Sequence, residues 1–121
     1  MKALFDTNIL IDYLAGKRQA RKELARYDES YISVISWMEV RVGITSDEED
    51  IVVRGFLSGF KLVSLSQEVA ESAVKIRQGH NVKLPDAIIW ASAQTENALL
   101  VTRNTKDFGF DDVGIRIPYR L

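Results

Sequence analysis

Four acidic residues lie where a strand-like stretch ends or a helix-like stretch begins. They are Asp6, Glu39, Asp86 and Asp107. The first follows an apolar run at residues 2–5, and the last lies just beyond a second apolar run at residues 98–102. Carboxylates gathered at one edge of a sheet would repel, because two charges about 5 Å apart cost roughly 3 kcal/mol at an effective dielectric of about 20. A fold keeps such a cluster only with a compensating cation or with shifted pKa values.

The ligand types in this chain point to a hard cation. There is no cysteine and only one histidine, His80, so the available donors are carboxylate and amide oxygens. Such oxygen ligands favour Mg²⁺ or Mn²⁺, and carboxylate-held Mg²⁺ is a site type that acts on phosphodiesters. Asn104, three residues before Asp107, adds an amide beside the late acid. His80 follows a glycine in a polar loop and is expected to be solvated, which disfavours a histidine-based enzyme.

Each acid also has a purely structural explanation. Asp6 could cap the helix that follows it. Ser36 and Glu39 match a capping box, in which the glutamate bonds back to the cap residue. Asp86 follows a helix-opening proline, where an acid suits the helix dipole. Asn104 could begin an Asx-turn. The case for a site therefore rests on all four acids together.

Positive charge is local in this chain. The net charge is −1, so overall charge gives no support to a nucleic-acid partner. Arg103 and Lys106 flank the late acid and are better placed to meet a phosphate. A basic run is interpreted first as a solvated helix face and only second as an RNA track; it consists of Lys17, Arg18, Arg21, Lys22 and Arg26.

Strand-like and helix-like stretches alternate along the chain. Strands are predicted at about 2–5, 31–36, 61–65, 98–102 and within 114–118, and helices at about 9–14, 19–27, 36–42, 47–58, 66–77 and 85–96. This alternation predicts a parallel sheet covered on both faces. Ligands of such sheets bind at the carboxyl ends of the strands, where the winding direction reverses. If the first and fourth strands are neighbours, Asp6, Asn104 and Asp107 meet in one crevice.

Composition bounds the class of protein. The 121 residues are 46% hydrophobic and 27% charged, which is typical of a globular chain, and no linker divides it, so we expect a single domain over 1–121. No apolar run approaches the roughly 18 residues of a membrane span. Asp6 interrupts the N-terminal apolar stretch, so no signal peptide is predicted. The absence of cysteine fits a reducing compartment, and we expect a cytoplasmic protein.

Four short motifs, in order, resemble those of the PIN-domain ribonucleases. They are FDTNILID (5–12), SWMEV (36–40), LPDAII (84–89) and TRNTKDF (102–108). The nearest resemblance is to VapC-type toxins of toxin–antitoxin pairs, and it spans nearly the whole chain. The resemblance implies a three-layer α/β/α fold with a five-stranded parallel sheet. One departure is Trp90, where family members often carry a small residue.

The resemblance also implies an activity and a set of partners. It implies hydrolysis of RNA by one or two Mg²⁺ or Mn²⁺ ions held by the four acids, with Asn104 orienting a ligand or water. Thr7 and Asn8 match residues that shape the first turn, and Asp12 is read as helix surface or as a support behind the ligands. The implied partners are an RNA substrate, a VapB-type antitoxin and a second copy in a homodimer, with DNA contacted only through the antitoxin.

Two other functions remain open from the sequence. One is a PIN-like RNA-binding module without catalysis, which the presence of all four acids disfavours. The other is an α/β phosphatase or phosphoacceptor domain that uses Asp6. Such sites commonly have a second acid close by in the first turn, whereas Asp6 is followed by Thr7 and Asn8.

Overall fold

The computed structural model describes residues 1–108 and 112–121. Five parallel strands form one sheet in the order β3-β2-β1-β4-β5. The strands are β1 Lys2–Phe5, β2 Glu29–Ser33, β3 Lys61–Val63, β4 Leu99–Val101 and β5 Ile115–Arg116. The helices are α1 Thr7–Leu14, α2 Arg18–Leu24, α3 Val34–Val42, α4 Asp47–Leu57, α5 Gln67–Gly79 and α6 Leu84–Thr95. The predicted three-layer α/β/α fold is confirmed, and none of the described helices is long and apolar enough to cross a membrane.

The sheet separates two apolar cores. Side chains alternate across a strand with period two, so Leu4 and Leu100 face one core while Phe5 and Val101 face the other. Helices α5 and α6 cover the first core, and α1 to α4 contribute the cover of the second. Phe5 is fully buried, and its edge contacts the rings of Tyr27 and Phe60. Burial of each such side chain stabilises the fold by roughly 1.5–3 kcal/mol.

The strand order fixes where a ligand can bind. The chain winds from β1 through β2 to β3 on one side, and then returns to place β4 and β5 on the other side of β1. The winding direction therefore reverses between β1 and β4, whose register pairs Phe5 with Val101. Ligands of open parallel sheets bind at this reversal, outside the carboxyl ends of the strands. Asp6 and Thr102 are the first residues beyond those two strand ends.

The start of α3 differs from the predicted start. The sequence suggests a strand to residue 36 and a Ser36–Glu39 capping box, but the strand ends at Ser33 and α3 begins at Val34. The Ser33 side chain caps the helix by accepting from the Ile35 N–H at 3.1 Å. Pairing of β2 with β3 stops at Ser33, and a partly buried Ile35 packs against the core. Tertiary contacts thus override the strand propensity of these β-branched residues, and the capping-box prediction is wrong.

Candidate active site

Asp6 joins the end of β1 to the start of α1. Its backbone N–H donates to the Val101 carbonyl at 2.9 Å, which extends the ladder between β1 and β4 by one residue. Its Oδ1 accepts from the Thr7 N–H at 2.7 Å, so the same carboxylate caps α1. The structural and the functional interpretation of Asp6 are therefore compatible, because capping occupies only one of its two oxygens.

The second oxygen of Asp6 accepts from two neutral side chains. Thr102 Oγ1 donates to Oδ2 at 2.7 Å and Asn8 Nδ2 donates at 3.2 Å. Burial raises the pKa of Asp6, the hydrogen bonds from Thr102 and Thr7 lower it, and the nearby charge of Glu39 raises it, with a net upward shift. Asp6 is 3% exposed, and three neutral donors hold its carboxylate in place.

Glu39 lies in the second turn of α3 and is linked to the start of α1. The Thr7 hydroxyl donates to Glu39 Oε1 at 2.6 Å and also lies 2.9 Å from the hydroxyl of Ser36. Ser36 is fully buried inside α3 and does not cap it. Thr7 thereby ties the turn that carries Asp6 to the helix that carries Glu39.

The environment of Asp86 brings the four acids together. Asp86 lies in the first turn of α6, after the proline at the helix start. Burial raises its pKa, the charges of Asp6, Asp107 and Glu39 raise it further, and a hydrogen bond with Asp107 adds to the shift, which takes the pKa to about 6. Coulomb interactions weaken with distance, so three carboxylates acting on a fourth indicate one shared pocket.

Asp107 is held in a tight turn by Asn104. Asn104 Nδ2 donates to Asp107 Oδ2 at 2.8 Å, and the Asp107 N–H donates back to Asn104 Oδ1 at 3.1 Å. The Asn104 N–H donates to Thr102 Oγ1 at 3.0 Å. Asn104 Oδ1 therefore accepts from an N–H three residues on, and not two residues on as in the suggested Asx-turn. This turn places the late acid near Asp86.

The donor set suits a hard divalent cation. The four acids supply only oxygen ligands, as Mg²⁺ and Mn²⁺ prefer, and their mutual repulsion would fall when a cation binds. Within the described residues, no group of three or more His, Cys, Asp or Glu side chains is already arranged to hold a metal ion. Binding would therefore draw the carboxylates closer and would release any proton that Asp86 carries.

Comparison with models of protein families identifies the family of this chain. The model of the PIN domain matches residues 3–115. This chain belongs to the PIN-domain family. No curated protein matches the chain.

Solved structures similar to this PIN domain come from toxin–antitoxin complexes. The chain is 46% identical, with a TM-score of 0.92, to a chain of a toxin–antitoxin complex from Klebsiella pneumoniae, and the match covers 98% of this chain and 99% of that one. A chain of a DNA-bound VapBC complex from Salmonella typhimurium is 25% identical, with a TM-score of 0.76 and 96% of each chain covered. A chain of VapBC2 from Rickettsia felis is 24% identical, with a TM-score of 0.77, and the match covers 90% of this chain and 92% of that one; it supports the fold alone. The predicted resemblance to VapC-type toxins is confirmed.

Two residues of the PIN domain, Arg103 and Asp12, have different partners and exposure from those that the sequence suggests. Arg103, expected to meet a phosphate, donates from Nε and Nη2 to the two oxygens of Asp12 at 2.7 and 2.9 Å. Asp12 is 5% exposed, so its interpretation as helix surface is wrong and that as a support is favoured. Both differences have the same cause, because α1 and the segment after β4 are adjacent in space although distant in sequence. Lys106 stays exposed, as do the basic side chains between residues 17 and 26.

Thr102 and Tyr119 are parts of the site region that sequence reasoning missed. Thr102 is fully buried and satisfies both its donor and its acceptor capacity within the site. Its position one residue past the end of β4, level with Asp6, is the signal that could have identified it. Tyr119 donates to Asp12 Oδ2 at 2.8 Å. The PIN domain also accommodates Trp90, which is 2% exposed and lies against the rings of His80 and Phe108.

Proposed function

We propose that this chain is the toxin of a toxin–antitoxin pair and acts as a Mg²⁺- or Mn²⁺-dependent endoribonuclease. The observation that carries the proposal is the hydrogen-bond network through Thr7, Thr102 and Asn104, which links Glu39, Asp6 and Asp107 at one edge of the sheet. The charges of these three acids also raise the pKa of Asp86. Membership of the PIN-domain family and the likeness to a chain of a toxin–antitoxin complex support it. RNA as the substrate follows from the family resemblance.

The acidic pocket has the chemistry needed for phosphodiester hydrolysis. Asp6, Glu39, Asp86 and Asp107 would hold one or two cations, which supply an activated water and stabilise charge on the attacked phosphate. Asn104 and Thr7 orient two of these carboxylates through the bonds described above. Thr102 and Asn8 fix the oxygen of Asp6 that does not cap α1. Each residue thus has a stated role in binding or orientation.

The experiment is RNA cleavage by single acid-to-amide variants. Asp6→Asn, Asp86→Asn and Asp107→Asn should each lower cleavage by more than about 100-fold, the upper end of the cost of losing a partner behind a metal ligand. Asp47→Asn is the matched control, because Asp47 is an exposed acid at the start of α4, and it should keep wild-type cleavage. Chelation with EDTA should abolish the wild-type activity, and added Mn²⁺ should restore it.

Contaminating ribonucleases require their own control. All variants should be purified in parallel, and their folding should be compared by circular dichroism. Full cleavage by a folded Asp6→Asn protein would reject the proposed site. Wild-type protein that binds RNA but neither cleaves it nor binds Mn²⁺ would favour the binding-module alternative.

A toxin active on the cell's own RNA needs an inhibitor, and the surface beside Glu39 offers a site for one. A groove of about 500 Å³ is lined by Trp37, Met38, Arg41 and Val42 together with Glu39. We propose that an antitoxin tail places an arginine among the acids, with charge-assisted hydrogen bonds, and lays apolar residues in this groove. Val40, which lies between these residues in the chain, packs in the core. The tail would be disordered alone and fold on binding.

A titration of the antitoxin tests this mode of inhibition. At matched salt, the antitoxin should bind Asp86→Asn more weakly than wild type, and removal of its basic residue should weaken inhibition. Equal affinity for both proteins, together with an inhibited complex that still binds Mn²⁺, would show that inhibition acts elsewhere.

A further inference from the structure

Arg103 forms a two-pronged ion pair that the catalytic proposal does not use. Its guanidinium donates to both oxygens of Asp12, and the Tyr119 hydroxyl donates to the same carboxylate. Both guanidinium bonds are 2.9 Å or shorter, as expected for a charge-assisted pair. The Asp12 side chain is 7% exposed and that of Arg103 is 32% exposed. The pair joins α1, the segment after β4 and the C-terminal tail.

The backbone of Arg103 continues this contact into the acidic pocket. Its N–H donates to Asn8 Oδ1 at 3.0 Å, while Asn8 Nδ2 donates to Asp6 Oδ2 and to Thr102 Oγ1. Thr102 donates to Asp6 and accepts from the Asn104 N–H. The side chain of Arg103 is thus fixed by Asp12, while its backbone N–H fixes Asn8, which in turn orients Asp6.

A second ion pair of the same type lies outside this network. Glu23 in α2 accepts from Arg116 Nε and Nη2 at 2.7 and 3.1 Å and from the Tyr27 hydroxyl at 2.6 Å. Glu23 is 4% exposed, close to the exposure of Asp12. Among the described residues, the side-chain hydrogen bonds of this second triad do not extend to Asp6 or Asn8. The chain therefore contains a structural control of similar burial and chemistry.

We propose that Asp12 and Arg103 are positioning residues of the acidic site. Their pair holds the segment from Thr102 to Asp107 against α1, so that Asn8 and Thr102 keep Asp6, and Asn104 keeps Asp107, oriented towards a shared cation. The proposal rests on the function proposed above where it concerns cleavage, and on the contacts alone where it concerns cation binding. It assigns Arg103 to the support of the site and not to the binding of an RNA phosphate.

The test compares Mn²⁺ binding and RNA cleavage across a small set of variants. The set is Asp12→Asn, Arg103→Gln, the double variant, Tyr119→Phe and the control Glu23→Gln. Mn²⁺ affinity is measured by electron paramagnetic resonance of the free ion, with each protein well below its melting temperature. Asp12→Asn and Arg103→Gln should each weaken Mn²⁺ binding by about 10-fold or more, as loss of a partner behind a ligand does. Tyr119→Phe, which removes one bond and keeps the ion pair, should have a smaller effect in the same direction.

The double variant and the separate effects on kcat and KM distinguish a positioning role from direct contact with the substrate. The double variant should lose no more than either single variant, because each breaks the same pair. Cleavage should fall in kcat with little change in KM, since the substrate does not contact the pair. Glu23→Gln should lower the melting temperature by an amount similar to Asp12→Asn while its Mn²⁺ affinity stays that of wild type.

Three results would overturn the positioning role. The first is wild-type Mn²⁺ affinity in folded Asp12→Asn. The second is recovery of Mn²⁺ affinity in the double variant. That result would mean that Asp12→Asn weakens binding because the freed Arg103 guanidinium enters the acidic pocket. The third is a raised KM in Arg103→Gln but not in Asp12→Asn, which would make Arg103 a phosphate contact. If wild type cleaves no RNA while the Mn²⁺ pattern holds, the proposed function fails and the positioning role stands.

Discussion

Neutralising Asp86 should make the metal-free protein more stable, although the same change removes a proposed ligand. The pKa of Asp86 rises from 3.8 to about 6, because burial and three neighbouring carboxylates disfavour its charged form. A pKa raised to about 6 corresponds to roughly 3 kcal/mol of unfavourable interaction of the charged form at neutral pH. The side chain is partly exposed, so solvent screening reduces this to about 1–2 kcal/mol. Asp86→Asn should therefore raise the free energy of unfolding by about that amount at pH 7.5.

The sign of the pH dependence follows from the raised pKa. A carboxyl group with a raised folded-state pKa favours folding while it is protonated, and this contribution is lost as pH rises through about 6. The stability difference between Asp86→Asn and wild type should thus be largest above pH 7 and should shrink towards pH 4. The assay is urea unfolding at several pH values in the presence of EDTA. In a chain of this size, 1 kcal/mol corresponds to about 3–6 °C in Tm.

Metal should reverse the order of stability. Saturating Mn²⁺ at 100 times its Kd should stabilise wild type by about 2.7 kcal/mol, and Asp86→Asn should gain much less. Asp47→Asn is again the control, and it should lose about 0.3–1 kcal/mol, because Asp47 lies in the first turn of α4 and favours the helix dipole there. If Asp86→Asn is destabilised by an amount independent of pH, the argument from carboxylate repulsion is refuted. A full Mn²⁺ response in that variant would remove Asp86 from the ligand set.

Three further predictions follow from contacts outside the acidic pocket. Burial raises the pKa of Asp12, but hydrogen bonds from Arg103 and Tyr119 and the charge of Arg103 lower it more. Asp12→Asn should therefore cost about 2–3 kcal/mol of stability at pH 7. In urea unfolding, that cost should fade as pH falls below the ordinary aspartate pKa of 3.8. Breaking the exposed Lys61–Glu29 ion pair with Glu29→Gln should leave Tm nearly unchanged, and a large loss would contradict the weak contribution of surface pairs. We also propose a homodimer through α4. Val52→Asp, at a position 67% exposed, should shift light scattering from a dimer to a monomer, whereas a monomeric wild type would reject the dimer.

Much of the fold could be predicted because its signals are local. Alternating strand and helix patterns lead to a parallel sheet, and the motif after each strand end locates the acids. The neighbouring positions of β1 and β4, which bring Asp6 and Thr102 together, were a condition in the sequence argument and are now observed. The helix predicted at about 66–77 is present as α5, and the Ser66 side chain caps it by accepting from the Val69 N–H at 3.2 Å.

The errors arise where distant segments decide between two local possibilities. Ser33 and Ser36 both precede the helical pattern, and only the pairing of β2 with β3 and the contact with Thr7 select Ser33 as the cap. Burial of the apolar residues in α4 also depends on distant contacts, because Val53 and Leu57, at 6% and 3% exposed, pack in the second core. The ion pair of Arg103 joins residues 91 positions apart, so no sequence pattern could reveal it.

The acids of this chain fall into two groups that differ in their partners. The buried acids away from the pocket, Asp12 and Glu23, each accept from an arginine at both oxygens. Within the pocket, Asp6 and Asp107 each accept hydrogen bonds from neutral groups, and among the described residues no Lys, Arg or His forms a salt bridge with either. Neutral donors orient a carboxylate without cancelling its charge. Unpaired carboxylates repel each other in the metal-free fold, and the same repulsion would favour binding of the proposed cation or of the proposed inhibitory arginine.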